Sequence, residues 1–151
     1  GQTMAHALGM GAEAVWCGTR FLMASEANAH PEYQDRVRLA GPNDTLRTTL
    51  FGPEWPGQMA RVLKNKATET GLGREADALA EAKGQLVGSI ELGGEKVPVP
   101  KYSAILPTQE MEADLDWVCL TVGECAQDIN NVLPVADIVD EMTRDAMPLM
   151  R

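Results

Sequence analysis

The sequence predicts an α/β fold, the back part of a parallel α/β barrel followed by a helical and loop-rich tail. Three observations predict it. Residues 4–19 run in the order helix, glycine, apolar strand, Gly-Thr, which is the αβ unit of parallel sheets and barrels. The last 18 residues open on a proline and carry an amphipathic helical stripe. The chain has 151 residues, enough for a domain with a core but fewer than the roughly 250 of a complete barrel.

The elements follow in chain order. Met4 to Gly11 reads as helical, with Met4, Ala7 and Leu8 on one face and Gly11 as a left-handed stop. Ala12 and Ala14-Val15-Trp16-Cys17 form a short, almost wholly apolar run, which suits a strand covered on both faces. Ser25-Glu26 reads as a helix start, and Pro31 sits at a first helical position before Tyr33, Val37 and Ala40. Gly41 to Asp44 is a turn, residues 45–51 are extended, and Gly52 to Gly57 is a rigid loop with Trp55 as its aromatic anchor. Glu75 to Lys83 is an Ala-rich helix stopped by Gly84. Val87 to Val99 alternates around Gly93-Gly94, as in a hairpin or an extended arm, while Pro98, Pro100 and Pro107 argue against a central strand. Asp114 to Ala126 is expected to be helical. Pro134 opens the last helix, with Val135, Ile138, Val139 and Met142 along its apolar stripe.

Composition bounds the function. Hydrophobic residues make up 44% and charged residues 23%, as in ordinary globular proteins. The formal net charge of −9 disfavours a broad nucleic-acid or anionic-membrane surface. No apolar run is long enough to cross a bilayer, and no secretory signal is visible, so a cytoplasmic location is expected. Cys17, Cys119 and Cys125 are odd in number and lack CxxC spacing, which points to reduced thiols rather than a metal or disulfide framework. The chain opens on Gly1-Gln2-Thr3 without an initiator Met, and a fragment beginning within a motif is the expectation.

Gly18-Thr19 carries the chemistry. In barrels a phosphate is held by the loops after the last strands and by the head of a short extra helix. Glycine permits close backbone approach, successive N–H groups and the helix dipole favour the dianion, and Thr19 adds a hydroxyl. Arg20 adds positive charge or points outward. Other residues are weaker candidates. His30 and His6 could titrate near neutral pH, but the first reads as a helix-entry residue and the second as a surface residue. Glu110, Glu112, Asp114 and Asp116 read as a solvated acidic face. Trp55 could wall a substrate but reads as a loop anchor, and Tyr102 could reach a cofactor or pack equally well. Cys125, after Gly123-Glu124, is a further weak candidate. Met142, Met147 and Met150 read as helix-docking residues.

The stretch from Ala7 through Cys17-Gly18-Thr19-Arg20-Phe21 resembles the last barrel unit of the nitronate monooxygenase (2-nitropropane dioxygenase-like) family. The likeness continues at Ala29-His30-Pro31-Glu32-Tyr33, Asp44-Thr45, Phe51 to Pro56, Arg61 to Asn65, Pro100 to Ala104 and Val132 to Val139, and is least over residues 68–96. The resemblance implies a TIM (β/α)8 barrel with non-covalent FMN, whose phosphate Trp16, Cys17, Gly18 and Thr19 would line. It implies an oxidoreductase that denitrifies alkyl nitronates with molecular oxygen, with a homodimer as an open option. It also places the catalytic histidine and a second glycine pair of the phosphate cup before Gly1. By domain, residues 1–66 would hold the last barrel unit and phosphate loop, 67–112 a variable arm, and 113–151 C-terminal helices packed on the barrel. An NAD(P)H-dependent flavin reductase of the same barrel family acting on an enoyl thioester or a quinone, an IMP-dehydrogenase-like barrel, and a truncated non-catalytic piece remain alternatives.

Overall fold

The computed structural model describes residues 1–149, which form two compact units: residues 1–27 together with the chain from residue 131 onward, and residues 28–130.

The first unit is helical. Helix α1 (Gln2–Gly9) ends where Gly11 takes φ +97°, the left-handed stop its sequence predicts. Helix α2 (Thr19–Leu22) is a single turn. The last helix, α6 (Val135–Ala146), starts at Pro134 as expected, and α1 packs on it. Ala5, Met23, Ala24, Ile138 and Ala146 are buried. Of the predicted α6 stripe, Ile138 is fully buried and Met142 half-buried, whereas Val135 and Val139 stay largely exposed. Met147 begins a terminal 3-10 turn and is exposed, while Met150 lies outside the described residues. Residues 23–26 run beside residues 133–135. The Ser25 N–H donates to Leu133 O (2.9 Å), Leu133 N–H donates to Met23 O (3.3 Å), and both Glu26 carboxylate oxygens accept from Val135 N–H at 3.0 Å.

Two expectations fail in this unit. Residues 12–17 do not form a buried strand: Ala12, Glu13, Ala14 and Trp16 are exposed, and none of the six pairs as a strand. A parallel strand needs neighbours to satisfy its N–H and C=O groups. The only strand-like pairing among the described residues of this unit is the isolated bridge Ala24–Leu133. Ser25-Glu26 starts no helix either. Its carboxylate reaches across to satisfy an orphan N–H at the head of α6 instead, a non-local cap that no local pattern encodes.

The second unit is mixed. Helix α3 (Pro31–Arg38) opens as predicted, with His30 as its cap and Tyr33 and Val37 buried. Strands β1 (Thr45–Thr48) and β2 (Ala60–Leu63) pair antiparallel, Thr45 opposite Leu63. Helix α4 (Lys66–Gly71) carries a capping box in which Asn65 accepts from Thr68 N–H and the Thr68 hydroxyl accepts from Asn65 N–H. Asn65 is buried, and its amide also donates to Leu115 O and Val118 O. Helix α5 (Glu75–Glu81) follows, and Gly84 (φ +80°) lies in the turn after it.

The expected hairpin is present. Strands β3 (Leu86–Leu92) and β4 (Glu95–Pro100) join through Gly93 (φ +62°) and Gly94 (φ +84°), the pair of positive angles a tight hairpin turn requires. Strand β5 (Met111–Ala113) completes a sheet of order β4-β3-β5, so Pro98 and Pro100 lie on an edge, where a missing N–H is tolerated. At Gly88 the β5 backbone comes so close that a Cβ would collide with Glu112 O and Ala113. Leu50, Phe51, Val62, Ala67, Ala78, Ala82, Tyr102 and Cys119 form a core cluster.

Residues 114–126 are not an α-helix. They form two 3-10 turns, Leu115–Trp117 and Glu124–Asp128, separated by extended backbone. The Asp114 side chain accepts from Asp116 N–H and caps the first turn, while Leu63 N–H and Arg61 O draw Leu120 and Val122 into pairing beside β2. Trp55 is 61% exposed and anchors no core. The named strands among the described residues all pair antiparallel, and the fold is α/β in content, with no closed barrel among those residues.

Candidate functional site

The predicted cofactor residues stand together at the start of α2. Gly18 is its N-cap (φ −91°, ψ −65°), and Gly18 O accepts from Leu22 N–H at 2.9 Å, closing the single turn. Thr19 is the first helical residue. Cys17 is a half-buried free thiol, and Trp16 is 99% exposed. A tryptophan so fully in the open offers an apolar face of the kind that covers a ligand or partner.

Gly18 is not needed for backbone conformation, because its angles lie in the right-handed region open to every L residue. Nor does packing require it. An ideal Cβ there meets no heavy atom within 4 Å beyond its chain neighbours. The space over this backbone is open, and it lies at the head of the α2 turn. The donor set of backbone N–H groups and the Thr19 hydroxyl suits a phosphate. By that test the residues fit one.

Arg20 is turned to another task. Its guanidinium donates to Asn131 Oδ1 (2.8 Å), Asn131 O (3.1 Å) and Met23 O (3.4 Å), and its Nε is buried without a partner. Burial lowers its pKa, opposed by the nearby Glu141 carboxylate. Arg20 therefore ties the α2 turn to the segment before α6. Neither Asn131 nor Glu26 was visible as a partner in the sequence, since each contact spans over a hundred residues.

The weaker candidates resolve into structure. His30 Nδ1 accepts from Glu32 N–H as a helix cap, and His6 is exposed on α1. The acidic side chains disperse among partners: Asp116 pairs with Arg36 (2.8 Å) and Lys66 (3.2 Å), Glu112 with Lys96 (3.0 Å), and Glu110 with Asn28. Burial alone would raise the Asp116 carboxyl, but the hydrogen bonds and charges of Arg36 and Lys66 together outweigh it and hold it below its ordinary pKa. Among the described residues no group of three His, Cys, Asp or Glu side chains could hold a metal ion, and no helix is long and apolar enough to cross a membrane. Tyr102 is buried at φ +65°, its ring edge-on to Phe51 and Trp117, which is the packing role. Cys125 is exposed.

Similarity to known proteins covers nearly the whole chain. The family model described as Nitronate monooxygenase matches residues 1–145. A protein of Bacillus subtilis (strain 168) named "Probable nitronate monooxygenase" is 25% identical over 143 residues, spanning 92% of this chain and 35% of its own length. Among solved structures, FabK from Thermotoga maritima matches 98% of the chain at 28% identity and a TM-score of 0.65, and its M276A mutant does so at 27% and 0.62. The chain spans 41% and 38% of those two structures, so it corresponds to well under half of each relative.

Proposed function

The chain belongs to the nitronate monooxygenase family, and on that premise we propose that it forms part of a flavin-dependent oxidoreductase and holds the phosphate of FMN at Gly18-Thr19. The observation that carries this reading is the open space over Gly18 at the head of α2, where neither packing nor backbone conformation demands a glycine. A glycine there is explained by a ligand that comes within contact distance of the main chain.

The chain's own part is binding and orientation. Backbone N–H groups at Gly18 and Thr19 would hold the phosphate oxygens, and the Thr19 hydroxyl would add a donor. Trp16 and Cys17 line the approach, with the exposed indole excluding water from one side. Arg20 fixes the turn from behind through Asn131. When bound, FMN supplies the ring that accepts electrons from an alkyl nitronate and yields them to molecular oxygen. The parent barrel would be of the (β/α)8 type, the phosphate sitting at the C-terminal ends of its strands.

A second reading has one observation in its favour. The similarity to FabK fits an NAD(P)H-dependent flavin reductase acting on an enoyl thioester or a quinone. Gly18-Thr19 serves both readings alike. Oxygen consumption with an alkyl nitronate, set beside NADH oxidation with an enoyl thioester or a quinone, separates them. Nitronate-dependent oxygen uptake supports the monooxygenase, and NADH turnover without it supports the reductase.

A further inference from the structure

In the second unit, loop 51–60 and the segments around Ala104 and Cys119 line an open-sided cavity of about 350 Å³. Its wall includes Phe51, Trp55, Ala60, Ala104, Cys119 and Thr121, and its remaining polar side chain, Gln58, is uncharged. The wall is a built one. Gly52 N–H donates to Tyr102 O (2.9 Å), and the Glu54 carboxylate accepts from Ser103 Oγ (2.6 Å) and Ala104 N–H (3.2 Å), clamping the loop to the Tyr102 segment. Cys119 N–H donates to Ser103 O (2.9 Å), and the buried Tyr33 hydroxyl donates to the Thr121 carbonyl. Three separate stretches are thus held in register around one space.

The chemistry of that space is specific. Phe51 and Trp55 offer aromatic surfaces, and Ala60 and Ala104 leave room where larger side chains would fill it. Cys119 Sγ and Thr121 Oγ1 lie 3.1 Å apart and share one hydrogen bond. Two protons and one bond between them leave one S–H or O–H to donate. Burial raises the Cys119 pKa, so the thiol stays protonated and neutral. The wall residues carry no cation to balance an anion.

We infer that this cavity binds a small neutral ring compound carrying one hydrogen-bond acceptor, with the ring against Trp55 and Phe51 and the acceptor at the Cys119–Thr121 pair. The volume lies at the lower end of known ligand pockets, which suits a single ring. Offset or edge-on contact with the two aromatic side chains supplies the apolar part of the binding. The inference stands on residues 28–130 alone and does not depend on the flavin assignment.

The test uses acetophenone as the probe, with ethylbenzene lacking the acceptor and benzoate carrying a charge. Binding to the whole protein is read from amide NMR shifts at Gly52, Ala104 and Thr121. Saturable acetophenone binding is expected, weakened roughly tenfold or more by each cavity-filling change, Ala60→Phe and Ala104→Leu. Thr121→Val should reduce the preference for acetophenone over ethylbenzene by about three- to tenfold. Absence of saturable shifts in the wild type, binding unaltered in both filling variants, or benzoate bound as tightly as acetophenone would overturn the inference. Because the readout is binding and not turnover, its failure is a separate result from failure of the flavin reading.

Discussion

Gly18→Val separates a ligand's need for glycine from the fold's need for it. The fold asks little of this position. Its φ of −91° and ψ of −65° are ordinary for valine, and no heavy atom beyond the chain neighbours lies within 4 Å of an added Cβ. The structural cost is that of replacing a glycine N-cap by an apolar residue, about 1 kcal/mol or less. For a chain of this size that is a shift of roughly 2–4 °C in the melting midpoint. The ligand, by contrast, loses its approach to the main chain. Each bond from a backbone N–H to a charged phosphate contributes about 1.5–3 kcal/mol, so displacing two costs about 3–6 kcal/mol, or two to four powers of ten in Kd. Flavin fluorescence titration and visible absorbance read the second quantity, and thermal denaturation reads the first. The expected outcome is a protein that melts nearly as the wild type does and retains no flavin. Unchanged flavin content would refute the reasoning, and a collapse of the melting midpoint would show that the glycine serves the fold instead.

Further outcomes follow from single contacts. Thr19→Ala should weaken FMN by about 1.5–3 kcal/mol in the same titration, one hydrogen bond to a charged group; an unaltered Kd would leave the backbone as the sole grip. Gly88→Ala should destabilise the second unit by about 1–3 kcal/mol or more in chemical denaturation, because the added Cβ meets the β5 main chain and not a movable side-chain tip; a neutral effect would contradict the close approach. The Glu26 carboxyl is held below its usual pKa chiefly by the Val135 N–H. A depressed folded-state pKa gives stability that is present above the ordinary carboxylate pKa and lost as pH falls through the lowered one. Glu26→Gln should therefore flatten the acid limb of the stability profile. An identical limb in that variant would show that the contact does not stabilise the fold.

Legibility in the sequence followed the range of the interactions. Helix ends marked by Gly11, His30-Pro31, Gly84 and Pro134, and the turn at Gly93-Gly94, were readable because each rests on the conformational preference of one or two residues. Residues 12–17 misled because an apolar run states a preference for burial and says nothing of whether a neighbouring strand exists to pair with it. Residues 114–126 misled in the same manner. The expected helix gave way to the Asp114 cap and to pairing of Leu120 and Val122 beside β2. Strand β2 escaped notice because its four residues become a strand only against β1. At the candidate site the sequence singled out Gly18 and Thr19 by type and order. The open space above Gly18 and the commitment of Arg20 to Asn131 needed coordinates, since one is a matter of shape and the other joins residues 111 apart.

The central claim is that a flavin is held by its phosphate, and competition between FMN and riboflavin for the protein tests it most directly. The two share the ring and differ at the phosphate. The account predicts that FMN binds at least two powers of ten more tightly than riboflavin, as two charge-assisted hydrogen bonds require, and that Gly18→Val erases the difference. Equal affinities for FMN and riboflavin in the wild type would contradict it.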